Sequence, residues 1–179
     1  MNPGDREVPR AQSGETPSGP PPSDDALLRP PTADDGLRMW EIARDSGVLD
    51  LNSEYAYALW GAEFADTSVV VESGGRVVGY VTGFLRPSEP DSVFVWQVGV
   101  DADQRGKGLA ARMIHELMDR MRPRGVVRLR TTISPDNEAS QRTFGAVARD
   151  RGMQLGREDY LGAAQLGKDD LQEDLYTIS

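Results

Sequence analysis

The most chemically informative stretch of the sequence is a basic, glycine-containing turn, Gln104-Arg105-Gly106-Lys107-Gly108-Leu109. It follows the apolar run VFVWQVGV and precedes the amphipathic run GLAARMIHELMDRMR, an order typical of strand, turn and helix. Glycines let the backbone curl with its N–H groups pointing inward, and a helix N-terminus carries partial positive charge. The side chains of Arg105 and Lys107 add full charges. The turn therefore predicts an anion site suited to a phosphate or pyrophosphate.

The glycines alone leave a second interpretation open, an ordinary solvated turn between strand and helix. A Walker loop needs a longer spacing and a Lys-Ser/Thr pair, which Gly108-Leu109-Ala110 does not supply. A dinucleotide fingerprint needs a third glycine and a position at the start of its domain. Neither of these nucleotide-binding motifs fits.

Composition excludes several classes of protein. The chain has 179 residues and a net charge of −9, and a surface so acidic disfavours nucleic acid as a partner. It has no cysteine, which removes disulfides, thiolate metal sites and a cysteine nucleophile. A single histidine, His115, argues against a metal centre and against a Ser-His-Asp triad. The chain has no apolar run of the length that a membrane span needs. We therefore expect a cytoplasmic protein with no metal and no membrane partner.

The sequence divides into two parts. Residues 1–26 are rich in Pro, Gly, Ser and charge and show no apolar periodicity, so they are expected to form a disordered leader. Residues 27–179 are long enough for one domain with a sizeable core.

Hydrophobic spacing places the elements of that domain. A first helix is expected from a cap at Thr32 to Gly47, with Leu37, Trp40 and either Ala43 or Arg44 on one face. A short polar loop follows, and Asn52 or Ser53 caps a second helix. The run TSVVVESGGRVVGYVTGFLR predicts a hairpin that turns at its two adjacent glycines, and EDLYTIS predicts a last strand.

A βαβ unit is expected between Ser92 and Ser134. The strand SVFVWQVGVD leads through the basic turn into a helix, and GVVRLRTTISP returns as a parallel strand. A further helix, NEASQRTFGAVARDRG, comes next. The fold class is therefore α/β, a mixed sheet flanked by helices.

This order of elements, together with two motifs, resembles the GCN5-related N-acetyltransferase (GNAT) family. The acyl-CoA motif reads VGVDADQRGKGLAARMI and the second motif ISPDNEASQRTFGAVARDRGM, and the likeness extends from about Leu28 to Asp150. It implies acetyl-CoA as co-substrate. It also implies a bulged central strand that splays from the next parallel strand. The freed backbone groups, presented by Val98 and Val100, would bind the pantetheine arm and polarise the thioester carbonyl.

The resemblance also implies which residues contact the cofactor. They come from the central strand, the turn and the two following helices: Gln97, Val98, Gly99, Val100, Gln104, Arg105, Gly106, Lys107, Gly108, Leu109, Ala110, Asn137, Ser140 and Phe144. Phe144 stands where many members carry a tyrosine that protonates the departing thiolate. The thiolate would then leave without being protonated, or it would take its proton from water, Tyr160 or Tyr176.

Two further blocks, GVLDLNSEYAYALWGAEFADTSVVVE and VFVWQVGVDADQRGKGLAARM, resemble the diaminobutyrate acetyltransferases of ectoine biosynthesis. Those enzymes move acetyl to the 4-amino group of L-2,4-diaminobutyrate. A substrate with two ammonium groups needs carboxylates. The resemblance implies an acceptor site of Asp50, Asn52, Tyr55, Trp96 and Glu173. Within it Asp50 would relay the proton, and Trp96 would contact the methylene chain or an ammonium.

Each of these residues has a structural alternative. Asp50 or Asn52 can cap the second helix, Trp96 can belong to the core, and Glu173 can lie in a solvated acidic tail. Tyr55 and Tyr57 are two positions apart on a helix, so at most one of them lines a pocket.

Two other functions remain open from sequence. One is a related acetyltransferase acting on another diamine, an amino acid or a protein N-terminus; the other is a non-catalytic, CoA-binding regulatory domain. The resemblance to the diaminobutyrate acetyltransferases also implies a homodimer, in which the exposed C-terminal strand could pair or exchange.

Overall fold

A computed structural model describes residues 26–167 and 172–179 of the chain. The predicted leader, residues 1–26, falls outside the described part except for its last residue. Seven strands are described: β1 (Leu27–Arg29), β2 (Val69–Ser73), β3 (Arg76–Arg86), β4 (Glu89–Val100), β5 (Arg128–Ile133), β6 (Leu155–Leu161) and β7 (Glu173–Ile178). They form one mixed sheet in the order β1-β2-β3-β4-β5-β7-β6. The predicted α/β class is confirmed.

Five helices accompany the sheet in the described residues: α1 (Gly36–Ser46), α2 (Glu54–Glu63), α3 (Leu109–Met121), α4 (Glu138–Asp150) and the short α5 (Ala163–Leu166). The predicted βαβ unit is β4-α3-β5, and β4 and β5 are parallel as expected. The predicted hairpin is β2-β3, which turns at Gly74 and Gly75, both with positive φ (60° and 75°). Glycine suits both positions because other residues are strained there.

The first helix differs from the prediction in its start and in its buried face. A 3-10 turn, Ala33–Asp35, comes first, and α1 itself begins at Gly36. Its buried side chains are Met39, Ile42 and Ala43, whereas Leu37 is 58% exposed. Of the expected face, Ala43 is buried and Trp40 packs against the cluster beneath the helix, whereas the expectation for Leu37 was wrong, because the buried stripe is displaced around the helix.

Two hydrophobic clusters sandwich the sheet. The larger lies between the sheet and α3 with α4, and includes Met113, Ile114, Leu117 and Val147. The smaller lies on the other face, under α1 and α2, and includes Met39, Ile42, Tyr57 and Tyr80. Spacing of apolar residues at helical period accounts for both. The two layers fix the central strand, β4, from both sides.

Candidate active site

A cleft of about 560 Å³ opens beside the C-terminal half of β4. Its lining includes eleven of the predicted cofactor residues: Val98, Gly99, Val100, Arg105, Gly106, Gly108, Leu109, Ala110, Asn137, Ser140 and Phe144. The C-terminal end of α1 and the loop after it supply Ser46, Val48 and Leu49, which the sequence analysis missed. They lie far from the motifs along the chain, and no local pattern marks them.

The basic turn forms one end of this cleft. Gly106 and Gly108 have φ of 77° and 73°, and Gly108 is the N-cap of α3. A Cβ at either glycine would meet nothing within 4 Å, so conformation and not crowding requires glycine there. The N-terminus of α3 therefore opens at the cleft, which suits an anion.

The two basic side chains of the turn, Arg105 and Lys107, are exposed, and each makes a hydrogen bond. Lys107 Nζ donates to Gln104 Oε1 at 2.8 Å, and Arg105 Nε donates to the Val100 carbonyl at 3.3 Å. Arg105 lines the cleft, whereas Gln104 and Lys107 lie outside its lining. Gln104 and Lys107 thus support the turn from its outer side.

The central strand is bulged at Trp96. In the β3–β4 ladder Thr82 pairs with Gln97 and Gly83 pairs with Val95, which leaves Trp96 without a partner. Because an extra residue interrupts the alternation of a strand, Trp96 and Gln97 both face the α2 side. The Trp96 ring stacks on Trp60 of α2, and the Gln97 side chain bonds Tyr57 of α2.

The parallel ladder of β4 and β5 ends just before this bulge. Its last described pair is Val95 with Thr131, after which β5 continues along β7, with Thr132 opposite Leu175. The backbone of β4 beyond Val95 therefore faces the cleft, without a described strand partner on that edge. Such backbone needs other hydrogen-bond partners, which an extended ligand with amide groups provides.

Two carboxylates, Asp50 and Glu173, are expected at the acceptor site. Glu173, at the start of β7, is half-buried. Burial raises its pKa above the usual glutamate range, and the negative charges of Asp50 and Asp174 raise it further. Hydrogen bonds from the hydroxyls of Ser134 and Thr132 lower the pKa and offset part of this rise. The charge of Asp50 therefore acts on Glu173, one of the other residues expected at the acceptor site.

Asp50 and Asn52 do not cap α2. That role belongs to Ser53, whose side chain accepts from the Ala56 N–H at 3.3 Å. Asp50 is exposed and Asn52 half-buried, so the side chains of the loop are not consumed by helix capping.

The two tyrosines of α2 face in different directions, as the sequence requires. Tyr57 is fully buried and Tyr55 is 72% exposed. The structure therefore gives Tyr57, not the predicted Tyr55, a contact with the loop, because its hydroxyl lies 3.5 Å from the Asp50 carbonyl. Gln97 also differs from its predicted place, since its side chain lies on the α2 side and does not line the cleft.

Phe144 lines the cleft and is only 3% exposed. The tyrosines suggested in its place lie elsewhere: Tyr176 is in the core beneath α4, and Tyr160 is on the exposed strand β6. His115, on α3, contacts Arg151 through Nδ1 at 3.1 Å, well away from the cleft lining.

In the described part of the chain, no group of three or more His, Cys, Asp or Glu side chains is arranged to hold a metal ion. Over the same residues, no helix has the length and apolar character needed to cross a membrane.

Comparison with known proteins agrees with this geometry. The model of the acetyltransferase (GNAT) family matches residues 36–146. The L-2,4-diaminobutyric acid acetyltransferase of Nocardia farcinica is 51% identical over 154 residues, covering 86% of this chain and 80% of that protein. The corresponding protein of Streptomyces coelicolor is 54% identical over 136 residues, covering 75% and 80%.

A solved structure gives the same result. The diaminobutyrate acetyltransferase EctA from Paenibacillus lautus, in complex with L-2,4-diaminobutyric acid and coenzyme A, superposes with a TM-score of 0.80 and 38% identity. The match covers 86% of this chain and 94% of that one. The cleft, the bulged strand and these relatives together show that the chain belongs to the acetyltransferase (GNAT) family and, within it, to the L-2,4-diaminobutyric acid acetyltransferases.

Proposed function

We propose that the protein transfers the acetyl group of acetyl-CoA to the 4-amino group of L-2,4-diaminobutyrate, giving N4-acetyl-L-2,4-diaminobutyrate for ectoine biosynthesis. The observation that carries the proposal is the cleft beside the bulged strand β4, with the N-terminus of α3 at one end. Support for the acceptor comes from the bond of Gln97 Nε2 to the Asp50 carbonyl at 2.8 Å, next to the bulge, and from the effect of the Asp50 charge on Glu173. The names of the relatives support the same substrates.

Acetyl-CoA would lie along the free edge of β4. Its pyrophosphate suits the turn at Gly106 and Gly108, where the α3 N-terminus favours negative charge. Its pantetheine amides suit the unpaired backbone of β4, and an N–H of Val98 or Val100 would polarise the thioester carbonyl. Phe144 would pack against the cofactor arm from the buried side.

The acceptor would lie on the other side of the bulge. Its two ammonium groups fit the acidic pair of Asp50 and Glu173, with Asn52 as a further polar contact. The exposed face of Trp96 suits the methylene chain or an ammonium.

The first step of catalysis is removal of a proton from the reacting ammonium, whose pKa lies near 10. Glu173 is a better acceptor for this proton than Asp50, the residue favoured by sequence. Burial raises the pKa of Glu173 toward the range in which a general base works near neutral pH.

The free amine then attacks the thioester carbonyl, and the C–N bond forms as the carbonyl oxygen becomes negative. Collapse of this intermediate breaks the C–S bond, and the nitrogen gives its second proton to solvent water. Phe144 has no proton to give, so the sulfur leaves as thiolate. A thiol pKa of about 8.5 makes that departure acceptable without an acid.

Release of CoA thiol from acetyl-CoA tests this function directly. Because the chain has no cysteine, a thiol reagent reports only the product. We expect release with L-2,4-diaminobutyrate to exceed that with ornithine, lysine and 2,3-diaminopropionate. Preference for another amine would reassign the substrate. CoA binding with no release for any acceptor would favour the regulatory-domain alternative.

We further propose that the protein acts as a homodimer in the cytoplasm, where acetyl-CoA is available. The C-terminal strand β7, which the sequence led us to expect as the pairing strand, lies between β5 and β6 and is largely buried, so that part of the expectation was wrong. Support for the dimer comes instead from β6, one of the two edge strands of the described sheet, which carries Leu155 and Tyr160 at 37% and 48% exposure. An exposed strand edge favours pairing with another chain. Light scattering should give twice the chain mass, and the Leu155→Lys/Tyr160→Lys double variant should lower it. A monomeric wild-type protein would refute the dimer.

A further inference from the structure

The side chain of Gln97 joins three elements of the acceptor side. Its Oε1 accepts from the Tyr57 hydroxyl at 2.9 Å and from the Tyr80 hydroxyl at 2.6 Å. Its Nε2 donates to the Asp50 carbonyl at 2.8 Å. Gln97 is 8% exposed and both tyrosines are fully buried, so water does not compete for these bonds.

Hydrogen-bond chemistry fixes the orientation of this amide. A backbone carbonyl can only accept, so the NH2 group of Gln97 must face Asp50. Its oxygen then faces the tyrosines, and both hydroxyls must donate to it. Burial and the neighbouring Tyr57 raise the pKa of Tyr80, so that hydroxyl remains a neutral donor. The arrangement has one consistent set of donors and acceptors.

The loop that carries Asp50 has few other ties to the sheet. At its start the Ser46 hydroxyl accepts from the N–H groups of Val48 and Leu49, at 3.2 and 3.1 Å. At its end Ser53 caps α2. Among the hydrogen bonds of the described residues, the one from Gln97 is the bond that ties residues 50–52 to the sheet.

We propose that Gln97 is a positioning residue for the acceptor. It acts through the Asp50 carbonyl, and it holds the Asp50 carboxylate at the distance from Glu173 that the diamine requires. The bulge at Trp96 makes this contact geometrically available, because without it adjacent side chains would face opposite sides of the sheet. Gln97 therefore serves the acceptor and not, as the sequence analysis expected, the cofactor. The kinetic part of this inference rests on the proposed function.

Two variants remove the bond to Asp50 in different ways. Gln97→Met keeps the shape but removes all three hydrogen bonds, and Gln97→Glu keeps the acceptor for the tyrosines but, when ionised, has no donor for Asp50. Tyr80→Phe is the matched control, because it removes one buried bond to Oε1 and leaves the bond to Asp50 intact.

We expect both Gln97 variants to raise the KM for the diamine roughly tenfold, as loss of a buried hydrogen-bond partner does. The dissociation constant for CoA should stay within about twofold, and Tyr80→Phe should leave both constants near wild type. Melting temperatures of all three variants show how much of any change is stability. Two results would overturn the proposal. One is a rise in the KM for the diamine that tracks the fall in melting temperature in all three variants, Tyr80→Phe included. The other is a loss of CoA affinity in the Gln97 variants without a change in the KM for the diamine.

Hydrogen exchange of the peptide covering residues 50–57 provides a readout independent of turnover. The Ala56 and Tyr57 N–H groups bond the Ser53 carbonyl at 2.9 and 3.4 Å and report how well the loop is held. Exchange should accelerate in both Gln97 variants and not in Tyr80→Phe. If exchange is faster in both Gln97 variants and unchanged in Tyr80→Phe, but the wild type does not acetylate the diamine, the proposed function fails and the structural inference stands. If the wild type is active and exchange is unchanged, the inference fails alone.

Discussion

The indole of Trp96 stacks on the ring of Trp60, with centroids 5.1 Å apart and planes inclined by 21°. Trp60 in turn contacts Phe64 and Phe84, so one face of Trp96 is anchored in an aromatic cluster on α2 and β3. The residue is nevertheless 39% exposed. It is therefore a fixed, partly exposed side chain and not a core residue, as the proposed acceptor site requires.

Replacing Trp96 should weaken acceptor binding. We expect Trp96→Ala to raise the KM for the diamine roughly three- to thirtyfold, the range for losing a cation–π contact, with CoA affinity unchanged. Trp96→Phe should have an intermediate effect, since a smaller ring keeps part of the stack. Steady-state kinetics with each substrate varied in turn measures this, and an unchanged KM in Trp96→Ala would contradict it.

Glu173 should control the acid side of the pH profile. Its raised pKa means that the carboxyl stays protonated, and unable to accept a proton, to a higher pH than an ordinary glutamate. The acid limb of kcat/KM should therefore lie above the usual glutamate range. Glu173→Gln should lower kcat by about a hundredfold or more, the typical loss of a general base.

Glu158→Gln is the control, because this exposed carboxylate on β6 is absent from the cleft lining, and its ion pair with Arg130, at 3.1 Å, is at the surface. The stability of the two variants gives a second check. A carboxyl with a raised folded-state pKa costs stability as the pH rises through that pKa. Glu173→Gln should therefore be at least as stable as wild type at neutral pH, and a loss of activity explained by unfolding would count against the assignment.

The turn glycines should affect CoA and not the diamine. Alanine at Gly108, where φ is 73°, costs about 1–2 kcal/mol of strain and tilts the N–H groups at the start of α3. We expect Gly108→Ala to weaken CoA binding roughly tenfold by calorimetry. Gly152→Ala, with φ of 64° beyond α4, should show similar strain and normal CoA affinity. Equal loss of affinity in both would refute an anion-binding turn.

The close packing of α2 against the segment around Thr32, which precedes α1, should depend on Gly61. A Cβ there would lie 2.1 Å from the Thr32 carbonyl oxygen, a backbone atom that cannot move aside cheaply. We expect Gly61→Ala to destabilise the protein by about 3 kcal/mol in urea unfolding. Gly145→Ala, in α4 with only Leu155 Cδ2 at 3.9 Å, should be neutral or slightly stabilising. Similar effects at the two sites would contradict the close approach.

Asp35 should give the protein a pH-dependent part of its stability. Hydrogen bonds from Arg29, at 2.8 Å to each carboxylate oxygen, and from the Thr32 N–H hold its pKa below the usual range. A depressed pKa adds stability above the unfolded-state pKa, and that stability is lost as pH falls through the folded-state value. Asp35→Asn should cost about 2 kcal/mol at pH 7 and little in strong acid.

Asp34→Asn is the control for this pair, because Asp34 is the exposed neighbour in the same 3-10 turn. Chemical unfolding at several pH values distinguishes the two. Equal losses in both variants, independent of pH, would show that the Arg29 pair adds nothing specific.

Much of the cofactor side followed from local sequence. The turn at Gly106 and Gly108 can be predicted without information from distant residues, because tolerance of positive φ is a local property of glycine. The hairpin at Gly74 and the helix stop at Gly47 followed in the same way. Periods of 2 and 3.6 then placed β4, α3, β5 and α4 in the right order.

The edges of the sheet did not follow from sequence. The short strand β1 and the strand β6 were not predicted. With only three residues β1 has too short a pattern, and β6 is exposed along nearly its whole length, so it has no apolar alternation to detect.

What the sequence determined by itself was the set of local elements and the chemistry of the turn. Only the tertiary structure decided which side chains lie near one another at the proposed acceptor site. A single bulge turns Gln97 toward Tyr57 and Asp50, and the β5–β7 ladder brings the start of β7, from the end of the chain, beside the end of β5. The physical reason is that the side of the sheet to which a side chain points depends on strand register and on packing between distant segments. A shift of one residue reverses every side chain of a strand, and no local spacing records it.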